Sequence, residues 1–187
     1  PNCSSAVVAQ LGALRAGAVW CNVNLRNTIA DNIDILSRGE CEVLFFHSSV
    51  AAEARALQAD VASLRLAICL DTTLGDLPSL TDWMSNAPDE EPEVAINDDV
   101  DIGFQGNTGG TTGLPKLTQS TFAILGRGAG AFVDLLAVQG DARNLAVAPI
   151  THAGGIVLMG SLAAGATNVM MATATPAAIA ESLERDR

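Results

Sequence analysis

The stretch GNTGGTTGLPKLTQST, Gly106 to Thr121, gathers four glycines, a series of threonines and one ammonium group. Lys116 is the only lysine of the chain; the other basic residues are arginines. That combination suits the binding of a polyphosphate. Backbone N–H groups converge on an anion only where side chains do not block the approach, which favours Gly109, Gly110 and Gly113, together with Gly106. Thr108, Thr111 and Thr112 add hydroxyl donors. Lys116 adds a compact charge on a flexible stem, able to follow phosphates as they depart. A plain Gly/Thr hairpin would account for the glycines, but not for threonines interleaved with them and closed by Pro115-Lys116. A Walker A loop is excluded because Leu117 follows the lysine where Ser or Thr is needed. A dinucleotide GxGxxG in its strand-to-helix setting is absent.

Other reactive side chains are sparse. His152 stands in APITHAGG and has two readings: a ring satisfied by a backbone carbonyl in an apolar turn, or a ring lining a pocket. His47, after EVLFF, reads as a surface residue at a strand end. Cys3, Cys21, Cys41 and Cys69 form no CxxC pair, and no cysteine or serine sits in an activating motif. Free, buried thiols of a cytoplasmic protein explain them better than disulfides or zinc.

The elements that must position these groups alternate. SSAVVAQLGALRAG predicts a helix with Val7, Val8, Leu11 and Leu14 on one face, ending at Gly17. AVWCNV reads as a strand. Thr28 caps a helix carrying Ile29, Ile33 and Leu36 that stops at Gly39. EVLFF is a strand, Ser49 starts an alanine-rich helix, and LAICL is a strand. Residues 71–100 form a connection with one short helix near SLTDWMS. DIGFQ is the strand before the Gly/Thr loop, and a helix starts at Thr121. NLAVAP, GGIVLMGSLAAG and TNVMMA then read as strand, tightly packed helix and strand. A last helix has Thr175 as cap and Pro176 at its first position. Strand and helix in this rhythm predict an α/β fold, with helices layered on a mainly parallel sheet.

The net charge of −11 and the scarcity of clustered bases exclude a nucleic-acid partner. Seven carboxylates fall in DEEPEVAINDDVD, and residues 86–100 are expected to form an acidic linker between subregions. No calcium-loop spacing occurs there, and no metal-ligating set is predicted. No apolar run reaches the length of a transmembrane helix.

TGGTTGLPK resembles the signature of the adenylate-forming ligases, the acyl-CoA synthetase and luciferase superfamily. PNCSSAVVAQLGALRAGAVWCNVNLRNT is similar to the family segment that opens on Pro-Asn and runs to an Asn-x-Arg turn. APITHAGGIVLMGSLAAGAT resembles its Pro-x-x-His-x-x-Gly segment. The likeness spans nearly the whole chain, with departures at Asn107 (often aromatic), Leu117 (often Gly) and Phe122 (often His). It implies part of a large N-terminal AMP-binding domain, residues 1–187, with the C-terminal domain absent.

The resemblance further implies a fatty acid, or another carboxylic acid, activated with ATP and Mg2+ to an acyl-adenylate and passed to coenzyme A. A homodimer is the assembly allowed. Thr108, Gly109, Gly110, Thr111, Thr112, Gly113 and Lys116 would hold the ATP phosphates, with Lys116 also acting in catalysis. His152, Gly154 and Gly155 would line the acid site. Family segments for adenine, ribose and a late catalytic lysine fall outside these residues, so the 187 residues alone are not expected to adenylate an acid. The alternative from another class is a non-catalytic phosphate-binding or scaffold module derived from the same family.

Overall fold

A computed structural model describes residues 1–24, 26–108 and 116–185; Thr108 is described by its backbone alone. The chain divides into two compact units. The first to be described comprises Ser5–Asn97 and Asp101–Ser120; the second comprises Pro1–Ser4, Asp98–Val100 and Thr121–Arg187.

Nearly all of helix α1 (Ser4–Arg15) lies in the former unit, followed by strand β1 (Trp20–Cys21), helix α2 (Ile29–Arg38) and strand β2 (Val43–Phe46). Helix α3 (Ala51–Asp60), strand β3 (Leu66–Cys69), short helix α4 (Leu80–Met84) and strands β4 (Ile102–Thr108) and β5 (Lys116–Thr121) complete it. β2 and β3 pair in parallel, Leu44 beside Ala67, Phe45 beside Ile68 and Phe46 beside Cys69. Because side chains alternate across a strand, this register sorts them onto two faces. Leu44, Phe46, Ala67 and Cys69 share one core with Leu36, Ala54 and Leu57 of α2 and α3. Ile68 shares another with Ala9 and Leu80, against which Phe45 and Trp20 pack. The rings of Trp20 and Phe45 stack at 5.9 Å, and Trp83 meets Phe45 edge-on.

Local chemistry accounts for the helix boundaries. Thr28 and Asp31 form a reciprocal capping box at the start of α2. At the end of α1, the Gly17 N–H reaches Leu14 O and the Ala18 N–H reaches Ala13 O, with Gly17 at φ 73°. This is the Schellman pattern, in which glycine avoids the cost of a left-handed residue. The predicted face of α1 needs correction: Val8 and Leu11 are exposed and Ala9 is buried. The smaller side chain lets the helix approach Ile68 and Leu80 closely. The third helix also starts later than predicted, because Ser48–Val50 form a single 3-10 turn before α3.

The second unit holds α5 (Phe122–Leu136), β6 (Arg143–Ala146), α6 (Ala153–Ala163), β7 (Thr167–Met170) and α7 (Pro176–Arg185). β6 and β7 are parallel. α5 and α6 pack at Gly160, where an added Cβ would lie 3.0 Å from Phe132 Cβ and 3.2 Å from Ala129 O. Thr121 and Thr175 cap α5 and α7 through hydroxyl bonds to the N–H groups of Ile124 and Ala178. The described pairings between β1 and β4, β2 and β3, and β6 and β7 are all parallel, divided among three small sheets. Among the described residues, no helix is long and apolar enough to cross a membrane.

Candidate functional site

β4 runs further than the sequence predicts, through Gly106 and Asn107 to Thr108, and pairs with β5, which opens at Lys116. KLTQST is thus a strand that the sequence reading missed. Its polar, threonine-containing pattern gives little hydrophobic alternation, and pairing with β4 supplies the stabilisation. Gly109, Gly110, Thr111, Thr112 and Gly113 lie outside the described residues. Gly106 is reassigned from the loop to the strand. Its missing Cβ leaves room for the Phe104 ring, 2.9 Å from where that atom would sit, and for Thr118 Oγ1 at 3.1 Å. The Thr118 hydroxyl donates to Gly106 O at 3.2 Å.

The root of this segment is held by asparagines. Asn107 Nδ2 donates to Asn22 O at 3.0 Å, and Trp20 Nε1 donates to Asn22 Oδ1 at 2.7 Å. Asn32, buried on α2, donates to Asn24 O and accepts from Asn27 Nδ2. The asparagine that departs from the usual aromatic at position 107 thus ties the end of β4 to the turn after β1. Sequence reasoning marked it only as a departure; the contact joins residues too distant in sequence for local pattern to reveal.

In the other unit, His152 lies immediately before α6 and is exposed. Its ring makes no capping hydrogen bond, while its N–H donates to Pro149 O at 3.0 Å and its carbonyl accepts from Gly155 N–H at 2.8 Å. Gly154 and Gly155 are required sterically. A Cβ at Gly154 would sit 2.7 Å from Ala148 O, and one at Gly155 would sit 2.3 Å from Ile150 O. Neither distance is tolerable for carbon against backbone oxygen.

The residue that holds this turn went unnoticed in the sequence. Asn2 Nδ2 donates to Ala146 O at 3.0 Å and Ala148 O at 2.9 Å, and Asn2 Oδ1 accepts from Ile150 N at 3.1 Å. Only one orientation of the carboxamide satisfies all three, so the amide is fixed by its partners. A cleft of about 470 Å³ in the same unit is lined by Leu136, Gln139, Arg143, Asn144, Val157 and Ser161, and His152 does not line it.

His47 is at a strand end, as predicted, but it is half-buried rather than a free surface residue. Its Nδ1 accepts from Ser49 N–H at 3.1 Å, and Nε2 lies 3.5 Å from Asp71. Asp71 accepts from the Ser48 N–H, the Ser48 hydroxyl and the Cys69 thiol. Partial burial pushes the Asp71 carboxyl up, but the Ser48 bonds, the Cys69 thiol and nearby His47 outweigh it and hold it at about 2. The cysteines also differ from expectation: all four are free, but only Cys69 is buried. Among the described residues, no group of three or more His, Cys, Asp or Glu side chains could hold a metal ion.

The chain belongs to the AMP-binding enzyme family, which matches over residues 1–187. Its fold is close to that of the apo structure of MbtA from Mycobacterium smegmatis, at 28% identity and a TM-score of 0.88. That likeness covers 99% of this chain and 36% of MbtA. A long-chain-fatty-acid-CoA ligase from Archaeoglobus fulgidus matches at 20% identity and TM-score 0.90, over 100% of this chain and 37% of that one. The amide bond synthetase McbA from Marinactinospora thermotolerans matches at 22% and 0.84, over 100% and 36%. The chain thus spans roughly a third of the length of these relatives. No curated protein matches it.

Proposed function

We propose that the protein carrying this chain is an adenylate-forming ligase that activates a fatty acid with ATP and transfers the acyl group to coenzyme A. In the first step a carboxylate oxygen attacks the α-phosphorus, the bond to the bridging oxygen breaks, and pyrophosphate leaves. In the second, the coenzyme A thiol loses its proton and its sulfur attacks the acyl carbonyl, displacing AMP. Thr108 to Lys116 hold the phosphates in this reading, and Lys116 stabilises the charge that grows on departing pyrophosphate. Mg2+ would accompany the nucleotide and offset the charge of its phosphates. His152, Gly154 and Gly155 contribute to the acid site, and the exposed apolar side chain of Ile156 on α6 supports an oily acyl chain there.

The observation that carries the phosphate assignment is the framing of residues 109–115. They join two paired strands, rooted through Asn107 on one side and opening onto exposed Lys116 on the other. Such a frame fixes where the glycine-rich segment starts and ends, beside the one ammonium group of the sequence.

The test is pre-steady-state formation of acyl-adenylate from ATP, Mg2+ and fatty acids of graded length, in the protein that carries this chain. Lys116→Ala is expected to slow that step by about ten- to a thousandfold, the upper end matching loss of an oxyanion donor. The KM for the acid should change little, since the contact strengthens only in the transition state. Lys116→Arg should restore part of the rate. An unchanged adenylation step in Lys116→Ala would remove this residue from catalysis. ATP binding without pyrophosphate release from any acid would favour the non-catalytic module.

A further inference from the structure

We propose that Cys21 and Cys41 form a redox-active thiol pair that closes to an intramolecular disulfide when the protein meets a hydroperoxide. The inference does not depend on the nucleotide chemistry. Cys21 lies in β1 directly beside Gln105 of β4, and parallel partners project to the same face of a sheet. The Gln105 carboxamide reaches over Gly39, its Oε1 2.8 Å from where a glycine Cβ would be, and the Cys41 sulfur lies 3.4 Å from that same point. Both thiols therefore converge on one patch beside Gln105, although 19 residues of sequence, including the whole of α2, separate them. Both are half-buried rather than sealed in the core, so a small peroxide can reach them. Cys69, by contrast, is fully buried and its thiol is engaged by Asp71.

The pair is asymmetric. A hydrogen bond from Cys21 lowers the Cys41 thiol against the opposing effect of burial. The same bond, followed by burial and the charge on Cys41, raises the Cys21 thiol. Cys41 is therefore the group that reaches the thiolate, the form that attacks peroxide. Its sulfur attacks one peroxide oxygen, the O–O bond breaks, and the departing oxygen leaves as water or an alcohol with a proton from solvent. Cys41 is now a neutral sulfenic acid, so the charge that held the Cys21 proton is gone. Cys21 loses that proton to solvent, its sulfur attacks Cys41 Sγ, the S–OH bond breaks, and hydroxide leaves to become water. Two thiols are oxidised by two electrons and one peroxide is reduced. Closure ties β1 to the turn that follows α2, beside the strand leading to Thr108.

The experiment is titration of the folded protein with hydrogen peroxide at neutral pH, with thiol counting and non-reducing peptide mapping. The expected result is the loss of two thiols, a Cys21–Cys41 linked peptide, and recovery of both thiols with dithiothreitol. In Cys21→Ser, Cys41 should accumulate as a sulfenic acid trapped by dimedone; in Cys41→Ser, Cys21 should stay reduced at the same dose. Cys21 and Cys41 both persisting as thiols after peroxide, a linkage of either through another cysteine, or sulfinic acid at Cys41 of the unmutated protein without any disulfide would each overturn the proposal. The mapping on unmutated protein decides the matter even where a variant fails to fold.

Discussion

Asn2→Ala isolates the bracing of the turn that carries His152. The substitution deletes three hydrogen bonds, of which those to Ala146 O and from Ile150 N are partly buried and that to Ala148 O is exposed. A net hydrogen bond contributes about 0.5–1.5 kcal/mol. The exposed carbonyl regains water, so the two sheltered bonds dominate and the expected loss is about 1–3 kcal/mol. For a chain of this size that corresponds to roughly 2–4 °C in Tm per kcal/mol. Asn2→Asp is the sharper variant. Its carboxylate still accepts from Ile150 N–H, but it sets an oxygen against two carbonyl oxygens, so it should be no more stable than alanine at neutral pH. Urea unfolding of the three proteins gives the comparison, with the m-value checked for constancy. Stability of Asn2→Ala within about 0.3 kcal/mol of the original, inside the usual scatter of a surface change, would refute the bracing role. An Asn2→Asp protein more stable than Asn2→Ala would refute the assignment of the amide as donor.

Gly160→Ala should destabilise by about 1–3 kcal/mol, because its Cβ would press on Phe132 and Ala129 O, whereas Gly128→Ala meets nothing within 4 Å and should stabilise by about 0.4–1 kcal/mol. Thermal melts of the pair distinguish packing from propensity, and equal shifts would count against the α5–α6 contact. Asp71 has a folded-state value depressed to about 2, so its contribution to stability is present above the ordinary carboxylate range and is lost as pH falls through about 2. The stability gap between the original and Asp71→Asn should therefore be constant above about pH 5 and shrink toward pH 2, following the window for a depressed carboxylate. A gap that widens on acidification would contradict the bonds from Ser48.

The sequence by itself determined what local chemistry determines. Thr28, Thr121 and Thr175 mark helix starts because a hydroxyl next to unpaired N–H groups caps them, and Gly17 ends α1 because only glycine takes its φ without strain. The Gly/Thr/Lys spacing is likewise a property of residue type, and it is what makes this segment a candidate phosphate site. The tertiary structure alone decided which residues hold those groups in place. Asn2 binds a turn nearly 150 positions away, Asn107 binds the turn after β1, and Gly106 is glycine because Phe104 and Thr118 crowd it. β5 became a strand through its partner β4, with no pattern of its own to announce it. The approach of Cys21 to Cys41 was likewise invisible, because it depends on the pairing of β1 with β4 and on the path of the chain after α2. Hydrogen bonds and close contacts between distant segments leave no periodic trace along the chain, and only the fold makes them neighbours.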